Sequence, residues 1–483
     1  MAWFAAPEYR LARELFLRLL ALVYLCGFLA AGRQFRALLG SRGLLPIPRF
    51  LARVPARHAP SLFHWHYSDR LYAAVSWTGA LLAAALLGGA ANLVPLGAAM
   101  ALWALTWALY LSIVNVGQTW YAFGWESLLL EAGALAVFLG NADTAPPVLV
   151  MWLLRWLLFR VEFGAGLIKW RGDACWRTLT CLYHHHETQP MPGPLSWYFH
   201  HLPRPLHKAE AAANHLVQLA VPVALFLPQP IASDAALLMA VTQLWLIASG
   251  NFAWLNWLTV ALALTALDTG TLRRVLPIAP DPHYPAQPAW YQGLVAAYTL
   301  LVAVRSWGPA RNLLSPRQQM NRSYDPLHLV NTYGAFGSVN RVRHEIVLEG
   351  TSDPDGAHGW REYGFHGKPG EVRRLPRQFA PYHLRLDWLM WFAAISPSYA
   401  RSWFLPLLAR LLVNDPDLLR LLRHNPFPDT PPVLVRARLY RYRFTTGPEL
   451  RDTGAWWHRT PLRDYQRPVG LAELGRLLPE APG

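Results

Sequence analysis

Long apolar runs constrain this chain most strongly, because a soluble fold cannot bury so many of them. Segments such as 15–32, 71–90 and 95–114 are each about 20 residues long and almost uncharged, which is the length at which a helix spans a bilayer. Further runs cover 121–140, 147–169, 211–229, 235–268 and 289–305. The 235–268 run is long for one span, and the Ser-Gly-Asn at 249–251 divides it. The pattern therefore predicts eight or nine spans.

Beyond residue 306 the long apolar runs stop. Segments 341–350 and 432–444 alternate in polarity, which is typical of strands. In the second segment the apolar phase shifts near Leu439 and Tyr440, as it does at a bulge. Asp415-Pro416 has the residues of a helix N-cap and first turn. The sequence thus predicts an α-helical polytopic membrane domain, 1–305, with a polar loop at 170–210. A soluble α+β domain with a β-sheet core, 306–483, follows it.

Composition agrees with a membrane protein. Apolar residues make up 53% of the 483 residues and charged residues 15%, against about 25% in an ordinary soluble domain. The net charge is +15, and arginine supplies most of the basic residues. They lie mainly in loops and in the C-terminal part, so membrane lipids with anionic headgroups are the expected partners. No nucleic-acid-binding motif accompanies the charge, so we expect no nucleic acid.

Two topologies satisfy the distribution of arginines. The first loop, 33–70, carries seven of them, which places it in the cytoplasm by the positive-inside tendency. Eight spans then leave the C-terminal domain outside. Alternatively, Arg10 and Arg13 lie inside, and nine spans leave the basic loop outside together with the C-terminal domain. The two assignments differ on the side that the 170–210 loop occupies.

Charged residues inside the predicted spans are candidates for functional sites, since each costs about 3 kcal/mol or more at the centre of a bilayer. The fifth run holds Arg155, Arg160 and Glu162, and the fourth holds Glu126 and Glu131. We expect Glu131 to form a salt bridge with Arg155 or Arg160. The alternative is a polar cavity between these helices.

A polar stripe follows Pro205. His207, Glu210, Asn214 and Gln218 are spaced by three, four and four residues, so they share one helical face. On a helix that enters a membrane, such a face lines a cavity or a helix contact. Polar residues that extend it are Gln243, Asn251 and Asn256.

Lys169 ends the fifth run in a chain that nearly always uses arginine. It follows a Gly-Ala-Gly at 164–166, which allows another backbone to approach closely. An amine that is partly removed from water can act as a base, so Lys169 is a catalytic candidate. The alternative is a snorkelling lysine at a helix end. We expect Asp173 to pair with Lys169 or Arg171.

Three adjacent histidines follow, His184, His185 and His186. Zinc requires three or four converging ligands, and adjacent residues do not face one direction, so at most two of them are able to join His200 or His207. No HExxH motif or paired CxxC is present, so we expect neither a metal nor a cofactor. His185 and Glu187 should point toward the stripe of His207, Glu210 and Asn214. Pairing of Cys175 with Cys181, six residues away, depends on the compartment and stays open.

Several blocks closely resemble the lipase maturation factor family. They run in order over about residues 115–445 and read GAGLIKWRGDACWRTLTC, ETQPMPGP, SGNFAWLNWLT, LVNTYGAFGSV, PYHLRLDWLMWFAA, HNPF and LYRYRF. The resemblance implies a multi-pass membrane protein that helps secreted lipases to fold and assemble. Eukaryotic members lie in the endoplasmic reticulum, with a lumenal C-terminal domain implicated in client binding. The family pattern has one histidine flanked by tyrosines where this chain has three, which favours His185.

A more distant resemblance links GLIKWRGDACW to the transmembrane domain of vitamin K-dependent γ-carboxylases. There a lysine in a comparable setting is the catalytic base, and Lys169 would take that place. Fold analogy alone does not transfer an activity.

Three functions follow from these observations. The first is a chaperone-like maturation factor for an exported client, by resemblance a lipase. The arginine bias suggests a bacterium, which would place the protein in the inner membrane with the C-terminal domain in the periplasm. The second is a membrane enzyme that acts on a lipid-soluble substrate, with Lys169 and His185 catalytic. The third, a transporter, has no visible inverted repeat in its favour. The residues expected to line a polar cavity are Glu131, Arg155, Arg160, Glu187, His207, Glu210, Asn214 and Gln218.

Overall fold

The computed structural model describes residues 4–274, 277 and 284–477, in which a helical bundle precedes a small sheet. The helices of the bundle and its loops are α1 (Arg10–Leu38), α2 (Ile47–Leu51), α3 (Asp69–Gly88), α4 (Leu96–Val116), α5 (Gly124–Ala136), α6 (Val148–Arg171), α7 (Ala174–Arg177), α8 (Leu182–Thr188), α9 (Ser196–His200), α10 (Arg204–Leu219), α11 (Ile231–Ser249), α12 (Leu255–Leu264), α13 (Thr269–Leu272) and α14 (Ala289–Arg305). The later helices are α15 (Trp307–Leu314), α16 (Arg385–Ile395), α17 (Phe404–Leu412), α18 (Pro416–Leu419), α19 (Gly447–Thr453) and α20 (Leu471–Leu477).

Within these described residues, five helical stretches are long and apolar enough to cross a bilayer. They are Pro7–Leu38, Asp69–Gly88, Leu96–Val116, Arg204–Phe226 and Ile231–Ser249. Helix α6 has sufficient length at 24 residues, but it carries buried charges at Arg155, Arg160, Glu162 and Lys169. Its charged residues face protein rather than lipid, which is how a helix accommodates charge at this depth.

The predicted span at 121–140 differs from the expectation. Helix α5 covers only Gly124–Ala136, and all 13 of its residues are buried. A helix surrounded by protein is apolar on every side except where a charge has a buried partner, so the run reflects an inner position rather than contact with lipid.

The 235–268 run is divided as predicted, between Ser249 and Leu255. Asn251 lies in this break, where its side-chain oxygen accepts hydrogen bonds from the backbone amides of Phe379 and Ala380, both at 2.9 Å. Because the break leaves the helical path, it holds a segment that is distant in sequence.

The four-stranded antiparallel sheet has the order β2-β1-β3-β4. Its strands are β1 (Arg343–Thr351), β2 (Arg361–Glu362), β3 (Leu434–Phe444) and β4 (Trp457–Val469). The two predicted strands are confirmed, and the register of β3 against β4 shifts between Leu439 and Tyr440, where a bulge was expected.

The helix whose first turn is predicted at Asp415-Pro416 begins as expected and is four residues long. The Asp415 carboxylate accepts from the backbone amides of Asp417 and Leu418, both at 3.0 Å. Helix α18 stops at Leu419. Beyond it, His424 pairs with Gly364 in a β-bridge, which draws the chain out of the helical path.

One hydrophobic core runs from the bundle into the C-terminal region. It includes Leu20 and Trp254 of the bundle together with Leu348 of β1 and Leu389 of α16. A smaller apolar cluster around Tyr442 and Trp457 lies apart from it. The region beyond 306 therefore packs onto the bundle, whereas the sequence had suggested a soluble domain with a core of its own.

A buried ion pair joins the two regions. Arg385 of α16 donates to the Glu126 carboxylate of α5 at 2.7 Å, and both side chains are fully buried. Tyr110 also donates to Glu126, at 2.6 Å, and Arg385 donates to the carbonyl of Trp120 at 2.7 Å. These hydrogen bonds are what a buried pair requires if it is to offset its loss of hydration.

The predicted salt bridge of Glu131 is confirmed, with Arg160 as its partner. The Glu131 carboxylate also accepts from the backbone amide of Asn331 at 3.0 Å and from the hydroxyl of Tyr333 at 2.7 Å. Arg160 donates to the carbonyl of Asn331 at 2.7 Å. Two charges of the bundle therefore hold the segment around 331–333.

The ends of α1 lie at opposite ends of the bundle. Gln34, near the end of the helix, donates to the carbonyl of His383 at 2.7 Å. Before its start, the carbonyl of Glu8 accepts from Thr269 at 2.6 Å. A helix of 29 residues is about 43 Å long, so the amino-terminal end and the C-terminal region lie on opposite sides.

The arginine-rich first loop lies on the side of the C-terminal region. Asn115, at the end of α4, donates to the carbonyl of Pro60 in this loop at 2.8 Å and to that of Pro326 at 3.0 Å. The eight-span assignment places this loop and the C-terminal region on opposite sides, so the contacts contradict it.

Removing the Glu131 charge should destabilise the fold. Glu131→Gln leaves Arg160 buried without its countercharge, and we expect a loss of about 3–5 kcal/mol in the free energy of unfolding. Unfolding of the purified chain in detergent micelles measures it. Glu371→Gln is the matched control, because its pair with Arg423 is exposed and contributes about 1 kcal/mol or less. Equal losses in the two variants would contradict the assignment.

Candidate functional site

The loop after Lys169 is ordered by bonds to distant segments. Asp173 caps α7 by accepting from the amide of Cys175 at 3.0 Å, and it pairs with Arg341 at 2.9 Å. The expectation that Asp173 pairs with Lys169 or Arg171 is therefore wrong, because Arg171 turns to the carbonyls of 313 and 315. Cys175 and Cys181 form a disulfide, with their Cα atoms 4.8 Å apart.

Helix α8, which carries the three histidines, is fastened to the sheet. Arg343, at the start of β1, donates to the carbonyls of Glu187 at 2.9 Å, Gln189 at 2.5 Å and Pro190 at 3.0 Å. The Glu187 carboxylate accepts from the backbone amide of Phe444 at 2.8 Å. Glu187 therefore points toward the sheet and away from the polar stripe, contrary to expectation, because the amide at the end of β3 needs an acceptor.

A partly open cavity of about 490 Å³ lies where the bundle, α8 and the C-terminal region meet. Its polar lining includes Glu162, Lys169, His185, Gln218, Gln243 and Asn256. Its apolar lining includes Phe123, Trp125, Phe252, Tyr333, Phe336, Trp388 and Trp391. The volume falls in the range of small-molecule pockets, and the wall is mostly apolar with several aromatic side chains, which suits an apolar ligand with a few polar groups.

Lys169 extends its amine from α6 toward α10. The ammonium donates to the side-chain oxygen of Gln218 at 2.7 Å and more weakly to that of Asn214 at 3.4 Å. It also lies 5.3 Å from the ring centre of Trp176. These contacts hold the amine inside protein, 5% exposed, whereas a snorkelling lysine extends into water.

The polar partners continue from Gln218 across three helices. The Glu162 carboxylate accepts from Gln218 at 3.1 Å and from Gln243 at 2.7 Å. Asn256 in turn donates to Gln243 at 2.6 Å. Gln243 and Asn256 were expected to extend the stripe. The sequence predicts Glu162 only as a charge within a span, although its spacing of seven from Lys169 puts the two on one face of α6.

His185 lies deep in the cavity wall, 5% exposed. Its ring is within 6.2 Å of Phe252 and 5.2 Å of Phe336, centre to centre. Burial and the nearby charge of Lys169 lower the pKa of His185 to about 4, so the imidazole is neutral at neutral pH. A neutral imidazole beside an ammonium can accept or pass a proton.

The stripe residues on α10 divide between two places. Asn214 and Gln218 contact Lys169, whereas His207 and Glu210 face His186. A smaller cavity of about 40 Å³ lies between them, and its lining includes Lys169, His185, Glu210 and Asn214. The family resemblance favours His185 over His186, whereas α8, a helix of seven residues, directs His186 toward His207 and Glu210.

The remaining predicted residues lie outside both cavities. Arg155 donates to the hydroxyl of Tyr9 at 2.6 Å and to the carbonyl of Leu225 at 3.3 Å, at the amino-terminal end of the bundle. Glu131 and Arg160 do not line a cavity themselves. They hold Tyr333, which lines the larger cavity.

Comparisons with known proteins cover both regions. The family model for the lipase maturation factor transmembrane domain matches residues 11–274, and that for the lipase maturation factor C-terminal domain matches 329–467. Lipase maturation factor 1 of Bos taurus is 42% identical over 97% of this chain and 91% of its own, and that of Homo sapiens is 40% identical over 96% and 88%. Lipase maturation factor 2 of Homo sapiens is 28% identical over 96% and 83%. No solved structure matches.

The aromatic wall should make the fold sensitive to acid through His383. Its ring packs against Phe123 at 5.0 Å and Trp125 at 5.2 Å, and burial lowers its pKa to about 4. In the unfolded chain His383 takes up a proton below the ordinary histidine pKa of about 6.5, whereas in the folded chain it does so only near pH 4. The free energy of unfolding therefore falls as the pH drops from about 6.5 toward 4. At pH 5 the loss from this one group is about 2 kcal/mol.

The measurement compares unfolding at pH 7 and pH 5 in the unmodified chain, in His383→Gln and in His458→Gln, whose histidine is exposed. We expect the pH difference to shrink in His383→Gln and to stay the same in His458→Gln. An undiminished difference in His383→Gln would contradict the burial argument.

Proposed function

Because the chain belongs to the lipase maturation factor family, we propose that it is a membrane maturation factor that assists the folding or assembly of an exported client. We further propose that the client is a lipase. The observation that carries this proposal is that both family models match in order, 11–274 and 329–467, together with relatives named lipase maturation factors. Their names describe a maturation role, which favours a chaperone-like function over an enzyme.

The cavity at the junction supports this role. Aromatic side chains from the bundle, such as Trp125, and from the C-terminal region, such as Trp388 and Trp391, line the same space. A client segment with apolar residues would therefore contact both regions at once. Large aromatic side chains provide much apolar contact area for few side-chain torsions, which suits recognition of varied segments.

We propose nine passes through the membrane, by α1, α3, α4, α5, α6, α10, α11, α12 and α14. The contacts that support this count alternate between the two ends of the bundle. The start of α6 lies at the amino-terminal end, where the amide of Val148 donates to the carbonyl of Phe4 at 2.9 Å. Its end lies beside the C-terminal region, where the amide of Asp173 donates to the carbonyl of Gly337 at 2.8 Å. Helices α5 and α12 are too short to cross a bilayer alone, and the buried residues that flank them in the chain complete the crossing.

We place the C-terminal region outside the cytoplasm, in the periplasm if the host is bacterial. The disulfide between Cys175 and Cys181 supports this side, because it lies in the loop that docks on the sheet and such bonds persist in oxidising compartments. The arginine-rich loop at 33–70 lies on the same side, against the positive-inside tendency. Its docking onto the C-terminal region then outweighs its charge in setting topology.

Reporter fusions test this topology. Alkaline phosphatase fused after Gly483 should be active, since the enzyme requires an oxidising compartment, and a cytoplasmic fluorescent reporter at the same position should be inactive. The same reporters fused before Met1 should give the opposite result. An active cytoplasmic reporter after Gly483 would reverse the proposed orientation.

One observation, the position of Lys169, supports a second function. Its amine and the imidazole of His185 line one cavity, and Lys169, His185 and Glu210 together line the smaller one. This arrangement favours a membrane enzyme that acts on a lipid-soluble substrate with Lys169 as base. The γ-carboxylase resemblance, which implies the same role for Lys169, finds no counterpart among the relatives above.

One experiment separates the two functions. The chain is co-expressed with a secreted lipase in cells that lack their own maturation factor, and lipase activity is measured per amount of lipase secreted. We expect the unmodified chain to raise this specific activity. Lys169→Arg keeps the charge but removes the easily titrated amine. A maturation factor should keep its function within about twofold in Lys169→Arg, whereas loss of a catalytic base should cost about 100-fold or more.

Lys169→Ala is the companion variant, at equal expression. It removes the shorter of the two hydrogen bonds that the side-chain oxygen of Gln218 accepts and leaves only the one from Asn214 at 3.2 Å, so we expect it to impair maturation through the structure of the cavity. Failure of the unmodified chain to raise lipase activity would contradict the maturation role. Loss of function in Lys169→Arg, with normal folding, would favour the enzyme.

A further inference from the structure

Three side chains that bind metals in other proteins converge beside the cavity. They are His186 of α8 and the pair His207 and Glu210, which are three residues apart and so on one face of α10. One ligand atom from each lies within 4.8 Å of the others. His186 and His207 are 1% and 2% exposed, so both imidazoles are removed from bulk water, and Glu210 is half-buried.

Several polar atoms of this cluster have no hydrogen-bond partner in the part of the chain that the structure describes. They are both ring nitrogens of His186, Nδ1 of His207 and Oε2 of Glu210. A buried polar group without a partner costs about 1–3 kcal/mol. Three residues with this cost, facing one point, indicate a ligand that takes their lone pairs.

The other polar atoms of His207 and Glu210 are held in the orientation that metal binding requires. His207 Nε2 lies 3.3 Å from the carbonyl of His200, so its proton belongs on that nitrogen and Nδ1 keeps a free lone pair. Oε1 of Glu210 accepts from the indole of Trp245 at 2.8 Å, which leaves Oε2 free. Histidine and carboxylate ligands of metals are commonly fixed by outer hydrogen bonds of this kind.

We propose that His186, His207 and Glu210 bind one divalent transition-metal ion, of the zinc or ferrous class. Two imidazoles and one carboxylate form the protein ligands of zinc sites with an open position and of non-haem iron sites. Tetrahedral ligands about 2.1 Å from one ion lie about 3.4 Å apart, so the three side chains close by up to about 1.4 Å on binding. The adjoining cavity of about 40 Å³ has room for a water on the open position.

This site was not expected from sequence. Three adjacent histidines cannot bind one ion, and that argument holds, since only His186 of the three joins the cluster. The other two ligands come from the polar stripe on α10. The short helix α8 directs His186 toward them, and no sequence pattern predicted this direction.

Metal binding by the full-length chain tests the site without any client. The chain is purified in detergent with a tag that lacks histidine, stripped with a chelator and titrated with Zn²⁺, and separately with Fe²⁺ under anaerobic conditions. We expect one ion per chain for the preferred metal and a higher unfolding temperature in its presence. Substitution with Co²⁺ should give the visible absorption of nitrogen- and oxygen-bound cobalt.

Four variants define the ligands. His207→Gln and Glu210→Gln should weaken binding by about 100-fold or more, and Trp245→Phe, which removes only the outer hydrogen bond, by about 10- to 100-fold. His184→Gln is the matched control, because His184 is adjacent in α8 but outside the cluster, and it should bind like the unmodified chain.

Two results would overturn the proposal. One is the absence of stoichiometric binding of either ion by the folded chain. The other is binding in His207→Gln equal to that in His184→Gln. If the glutamine variants fail to fold, Trp245→Phe decides, and unchanged affinity in that variant counts against the site. Lipase maturation is not part of the readout, so failure of the proposed function leaves this result intact.

Discussion

The ion pair of Glu126 and Arg385 is the contact on which the rest of the arrangement depends. The two residues are 259 positions apart, one on α5 in the bundle and one on α16 in the C-terminal region. Each charge is fully buried, and an isolated charge in such surroundings would cost several kcal/mol. Neither region can therefore bury its charge without the other. The aromatic wall of the cavity, with Trp125 and Trp388 4.9 Å apart, is assembled next to this pair.

Polar contacts of the same kind recur along the junction. Arg160 and Glu131 hold the segment around Asn331, and Arg343 holds three carbonyls at the end of α8. The cavity lies between these attachments. Lys169 lies on α6 with Arg160, and His185 and His186 lie on α8, which Arg343 holds, so these attachments fix the amine and both imidazoles beside the cavity.

The sequence predicted the features that depend on local pattern. Apolar runs gave the helices, alternation gave β1 and β3, and the pairing of Glu131 followed from the cost of charge at membrane depth. The predictions from sequence failed where long-range contacts determine the partner of a side chain. Asp173 turned to Arg341 and Glu187 to the amide of Phe444, since each found a partner more than 160 positions away. The run that contains α5 was predicted to be a lipid-facing span, because burial inside a bundle favours the same apolar residues as contact with lipid.

Hydrogen exchange in the Glu126→Gln chain tests most directly whether the two regions form one unit. Backbone amides of α5 and of α16 are followed by mass spectrometry in this variant and in the unmodified chain. The account predicts faster exchange in both helices together, because Arg385 loses its countercharge and the junction opens on both sides. Faster exchange confined to α5, with α16 and the segment 331–340 as protected as before, would contradict it.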